Sequence, residues 1–165
     1  MQPEASFRPN STAAHPVAEL LACPPAAETL LNEGARHIEF KEGSTLFHQG
    51  EPCHGLYLIV AGELLRRAER METRLMLGTV SAGELVELAA ALSAMPHSYT
   101  LTAQSQGSAV LLAMEPLHRA FAAYPPLRMH LLEELAREVS RSYSSCVARL
   151  NAVRRRGPGL HQAGH

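Results

Sequence analysis

The sequence predicts a mainly β domain, an antiparallel β-roll or jelly roll, with short helices ahead of it and one long helix behind it. Three observations carry this. Between Arg36 and Ala113, short runs of strand-forming residues recur at close spacing and are separated by glycine turns. Before them, Val17–Leu31 carries helical apolar spacing interrupted by Pro24-Pro25. After them, Leu127–Arg156 contains neither glycine nor proline and ends at Gly157-Pro158-Gly159.

Taken in order, residues 1–16 are polar and rich in Pro, Ser and Ala, and are expected to be a disordered tail. A single domain spans 17–156. Its helical part, 17–35, is two short pieces split by the prolines. The roll occupies 36–114. His37–Phe40 alternates, Glu42-Gly43 turns, and Thr45–His48 makes a second short strand closed by Gly50. Leu56–Val60 is a continuous β-branched and aromatic run ended by Ala61-Gly62. Glu63–Arg67 and Arg74–Val80 flank a charged hairpin at Glu69–Glu72. Glu87–Ala94 reads as a short helix within the roll, and Tyr99–Ala103 and Ala109–Ala113 complete the strands. Residues 115–156 are helical: Pro116–Tyr124, stopped by Pro125-Pro126, and then the long helix. Residues 157–165 are expected to be a flexible tail.

The chain has 165 residues, 46% hydrophobic and 19% charged, with a formal net charge of −1. That suits one globular domain with a real core, and it provides no global field toward nucleic acid or anionic lipid. Lys41 is the sole lysine. Cys23, Cys53 and Cys146 are far apart and form no C-x-x-C, which argues against a disulfide framework and fits a reducing compartment. Met1–His15 lacks a basic segment followed by an apolar one, and the longest apolar runs are too short to span a bilayer, so a cytoplasmic protein without membrane attachment is expected. No G-x-S-x-G and no phosphate-loop lysine occurs, so catalysis is not expected. His48 and His54 are six apart and form no His-x-His pair beside Cys53, and none of His37, His97, His118, His130 or Cys146 is singled out by spacing as an axial haem ligand, so no metal or cofactor is expected.

Two segments carry chemistry. Gly83-Glu84-Leu85 reads as a turn opening a helix, where free N–H groups can meet an anion. Pro96-His97-Ser98-Tyr99 leads into the strand Thr100–Ala103. On the long helix, Leu132, Val139, Cys146 and Val153 fall seven apart, with Leu135 and Ser142 in the companion position. This pattern fits a homodimer seam along 127–156. Glu133, Glu134, Arg137, Glu138 and Arg141 read as a solvated helix face.

These motifs, in this order, resemble the cyclic nucleotide-binding domain family. Phe40–Glu51 is similar to its first strands, Leu56–Gly62 to its core strand, and Gly83–Leu85 with Pro96–Ala103 to its phosphate-binding cassette. The resemblance covers about Arg36 to Leu150. It implies a β-roll of the cyclic nucleotide-binding type and a regulatory function, a sensor of cAMP, cGMP or another phosphorylated nucleotide that signals through its C-terminal helix. The alternative is a degenerate, non-binding module serving as a dimerisation scaffold. By resemblance, Glu84 meets the ribose hydroxyl and the amides of Leu85 and Ser98 meet the phosphate. Gly83, Pro96 and Tyr99 shape the cassette, and Ser142 and Tyr143 cover the base. His97 stands where the family carries a phosphate-pairing arginine. The family's transcription factors continue into a helix-turn-helix, which does not follow the long helix here, so direct DNA binding by this chain is not expected.

Overall fold

The computed structural model describes residues 6–9 and 14–155. The chain runs through β1 (Ser6–Pro9), α1 (His15–Leu20), α2 (Pro25–Glu33), β2 (Ala35–Phe40), β3 (Thr45–Phe47), β4 (Gly55–Ala61), β5 (Glu63–Arg70), β6 (Thr73–Ser81) and β7 (Leu85–Val86). It continues through α3 (Leu88–Ser93), β8 (Thr100–Ala103), β9 (Gly107–Ala113), α4 (Met114–Ala123) and α5 (Pro125–Arg155). All pairings are antiparallel. One sheet has the order β1-β2-β9-β4-β7 and the other β3-β8-β5-β6. The expected roll, its flanking helices and the long C-terminal helix are therefore all present.

The unbroken apolar run of β4 has a simple cause: the strand is covered on both faces. Leu56 and Leu58 point into one cluster, Tyr57 and Ile59 into the other, and β9 divides the same way, Val110 and Leu112 against Ala109 and Leu111. The first cluster is sealed by helices, through Val17, Leu31, Leu88, Leu117, Leu127 and Leu131. The second fills the roll with Phe40, Phe47, Leu64, Val80, Tyr99 and Leu101. The sheet β2-β9-β4 is thus the wall between roll and helices, and each fully buried Leu on it contributes about 1.5–3 kcal/mol.

Three departures from expectation matter. Ser6–Pro9, within the stretch expected to be disordered, pairs with β2; the remaining tail residues, 1–5, 10–13 and 156–165, lie outside the described residues. The β5–β6 hairpin closes through Met71 and Glu72, with φ of 49° and 65°, the two left-handed positions of a type I′ turn without its usual Asn-Gly signature. Gly83 does not open a helix. Its φ of +89° turns the chain into the two-residue strand β7, and α3 starts only at Leu88.

Only Leu127 and Leu131 of the 31-residue α5 are buried. Val139, Tyr143, Leu150 and Val153 are largely exposed on its second half.

Candidate ligand-binding site

A cavity of about 710 Å³ lies between the β5–β6 ribbon, the turn before β7 and α5. Its wall includes Gly83, Glu84, Leu85, Tyr99 and Ser142. Pro96, His97, Ser98 and Tyr143 are not part of that wall.

Two of the cassette amides are already in use. Gly83 donates to the Ile59 carbonyl at 2.8 Å and Glu84 to the Ser81 carbonyl at 3.2 Å, while Leu85 sits opposite Leu58 in the β4–β7 pairing. The Glu84 carboxylate accepts the Ser81 N–H at 2.6 Å and so closes its own turn. A helix N-terminus converging on an anion, expected from Gly83-Glu84-Leu85, is therefore not what this backbone makes: α3 starts only at Leu88.

His97 points the other way, into the protein. Its backbone N–H donates to the Glu51 carbonyl and its carbonyl accepts from Gly50, pinning the segment to the β3–β4 loop. The ring stacks on Phe47 at 3.8 Å between centroids with a 9° interplanar angle. Its Nδ1 lies 3.2 Å from Glu87 Oε2, and both side chains are 1% exposed. Ser98 and Pro96 are exposed, and Tyr143 lies on the exposed flank of α5.

The half-buried cation that faces the cavity is Arg66, beside the more exposed Arg137, Arg141 and Arg149. Along β5, Leu64 and Ala68 are buried and Arg66 shares their face. An arginine at the centre of an apolar alternation is the one sequence signal that could have found it. Gly78 of β6, with φ +107°, stands opposite Arg66 beside a bulge on β6. Arg66 Nη1 donates to Glu138 Oε1 of α5 at 2.9 Å, its guanidinium lies 5.9 Å from the Tyr99 ring centroid, and its buried Nε–H has no partner. Burial pushes the Glu138 carboxyl above the usual carboxylate range, with Arg66 and Arg141 pulling it back. Glu134, Arg137, Glu138 and Arg141 thus line a cavity and do not form the merely solvated face that their helix spacing suggested. Burial, first of all, also keeps the Tyr99 hydroxyl protonated, and its oxygen accepts a hydrogen bond from the Glu87 backbone N–H.

The geometry is an antiparallel roll with a cation-bearing cavity under a long C-terminal helix. The sequence model of the cyclic nucleotide-binding domain matches residues 37–124. The chain belongs to the cyclic nucleotide-binding domain family. Its fold is similar to a cyclic nucleotide-binding domain from Methylobacillus flagellatus KT, at 18% identity over 89% of this chain and 90% of that one, TM-score 0.76. It is similar to the Thermus thermophilus catabolite activator protein, at 19% identity over 87% and 73%, TM-score 0.66. The regulatory domain of Toxoplasma gondii PKA, solved with cAMP, matches at 14% identity over 79% and 49%, TM-score 0.63. No curated protein matches the chain. Among the described residues, no helix is long and apolar enough to cross a membrane.

Proposed function

We propose that the chain is a ligand-gated regulatory domain. A small phosphorylated molecule, cAMP, cGMP or a related nucleotide, enters the cavity and takes the Arg66 guanidinium from Glu138, and α5 repacks. The observation that carries this reading is the Arg66–Glu138 pair: a guanidinium at the floor of a cavity, one donor spare, held by a carboxylate that belongs to the helix able to move. A cyclic phosphodiester offers the same planar fork two charge-sharing oxygens, as a carboxylate does, so it can replace Glu138 as the partner of Arg66. The ligand can shift α5 only by its preference for the state in which Glu138 is released. Family membership and a cAMP-bound structural neighbour favour a cyclic nucleotide.

Thermal unfolding with a panel of cyclic mono- and dinucleotides tests this. A live pocket raises the melting temperature with ligand concentration, by about 2.7 kcal/mol of stabilisation at a hundredfold excess over Kd. A flat response across the panel favours the second reading, an interaction scaffold. That reading draws on the engaged amides of Gly83 and Glu84 and on the inward His97.

Glu138 is the competitor, so its charge sets the gate. A carboxyl held above its ordinary value by burial loses stability as pH rises through the folded value, because the unfolded chain ionises first. Glu138→Gln is therefore expected to leave the melting temperature unchanged or higher at pH 7 and to tighten nucleotide binding. Wild-type affinity is expected to rise from pH 7 toward about 5. The difference between wild type and Glu138→Gln isolates the carboxylate from His130, which also lines the cavity. Weaker binding by the Gln variant would rule the gate out.

The second half of α5 supplies the output. Val139, Tyr143, Val147, Leu150 and Val153 form an exposed apolar stripe that suits the same helix of a second copy. Light scattering is expected to show a dimer, and Val139→Glu with Leu150→Glu a monomer of unchanged fold. A monomeric wild type at tens of micromolar contradicts the seam.

A further inference from the structure

Cys53, Glu87 and His97 lie far apart in sequence, yet the fold brings one donor atom of each within 4.8 Å of the others. We propose that these three side chains bind a zinc-class divalent cation, through Cys53 Sγ, His97 Nδ1 and a Glu87 carboxylate oxygen, with water in the fourth position.

The buried polar atoms need this explanation. Glu87 is 4% exposed and His97 3%. Although Nδ1 and Oε2 are 3.2 Å apart, they face each other off the hydrogen-bond line, and His97 Nδ1 and Glu87 Oε1 are both buried without a hydrogen-bond partner. Each unsatisfied group carries a desolvation cost, larger when charged. A cation held by Nδ1 and the Glu87 carboxylate gives both side chains the partner they lack. The separation of 3.2 Å also matches the edge of about 3.3 Å expected between two such ligands on a tetrahedral zinc.

Charge points the same way. A thiolate, a carboxylate and a neutral imidazole sum to −2 and neutralise a divalent ion, which a buried site requires. The mixed S, N, O donor set selects zinc-class ions over Mg²⁺ and Ca²⁺, which take oxygen ligands. On binding, the Cys53 thiol proton, which now sits 3.3 Å from the Gly55 carbonyl by sulfur, passes to solvent as the metal–sulfur bond forms.

The backbone is arranged for it. Glu87 holds a φ of +69°, a left-handed conformation unusual outside glycine, and does so at the N-cap of α3 without using its side chain to cap. The conformation sends the carboxylate inward to His97. The site lies outside the cavity wall but next to it: Glu87 follows β7, and its backbone N–H donates to the hydroxyl of Tyr99, which lines the cavity. A bound ion would tie the β3–β4 loop, the start of α3 and the Pro96–Tyr99 segment together.

The test uses the full chain, stripped with chelator and titrated with Zn²⁺ alone against a chromophoric competitor, and in parallel with Co²⁺. One equivalent is expected, with a thiolate-to-cobalt charge-transfer band and tetrahedral d–d bands. Cys53→Ala should abolish the charge-transfer band and weaken Zn²⁺ binding by at least about tenfold to a hundredfold, with far-ultraviolet circular dichroism unchanged. Glu87→Gln should weaken binding while retaining the band. Cys23→Ser/Cys146→Ser should match wild type. A band that survives in Cys53→Ala, or no stoichiometric binding by wild type, overturns the site.

Discussion

Replacing Arg66 by glutamine is expected to weaken cyclic nucleotide binding by about tenfold to more than a hundredfold, the loss of roughly 1.5–3 kcal/mol carried by a charge-assisted contact to phosphate. The residue has the requirements of an anion anchor. It lies on the buried face of β5, over the Tyr99 ring, and its Nε–H has no partner inside the protein. Lysine at this position keeps the charge and loses the planar fork, so Arg66→Lys should bind between the two. Calorimetric titration of the three proteins with the nucleotide that gives the largest thermal shift decides the matter. Equal affinity in wild type and Arg66→Gln removes Arg66 from the site. The same substitution leaves Glu138 half-buried without its counter-charge, so its carboxyl is expected to move further up and the helix to loosen.

His97→Ala is expected to act on stability. Its ring is stacked on Phe47 and is the polar group nearest the buried Glu87 carboxylate, so truncation opens a cavity and leaves Glu87 enclosed with no polar side chain to face it. Truncating a buried ring costs about 3–5 kcal/mol. For a chain of this size that is a fall in melting temperature of roughly 6–20 °C. Measured in chelator, so that no metal contributes, the variant should unfold early. Glu87→Gln introduced beside it should recover part of the loss, because a neutral amide is cheaper to bury than an unpaired carboxylate. Had His97 been the phosphate contact that its place in the cassette implies, the same substitution would cost affinity and leave the melting temperature nearly unchanged. That result would return His97 to the ligand.

Much of the fold was legible because the signals are local. Alternation in His37–Phe40, the two-faced apolar run of β4, the paired prolines before α2 and α5 and the glycine-free stretch of α5 each state their own structure. What escaped was short or unsigned. The strand β7 has only Leu85 and Val86, too few for a period, and the hairpin at Met71-Glu72 lacks the residues that its left-handed turn favours. For the candidate cavity, the motif located a stretch of chain that lines it: Gly83, Glu84, Leu85, Tyr99 and Ser142 are in its wall, while its half-buried cation comes from β5 and the acid paired with it from α5.

The chain's own periodicities and turn residues determined that it would form a roll between short helices and a long one, since each depends on neighbours within a few positions. Only the packed structure decided which charges meet. Alternation along β5 sets Arg66 beside the cavity, a left-handed φ sends Glu87 to His97, and the turn before β7 takes up the amides of Gly83 and Glu84. Side-chain direction within a strand, and the company a buried polar atom keeps, are settled by register and burial across the whole domain, which no window of the sequence contains.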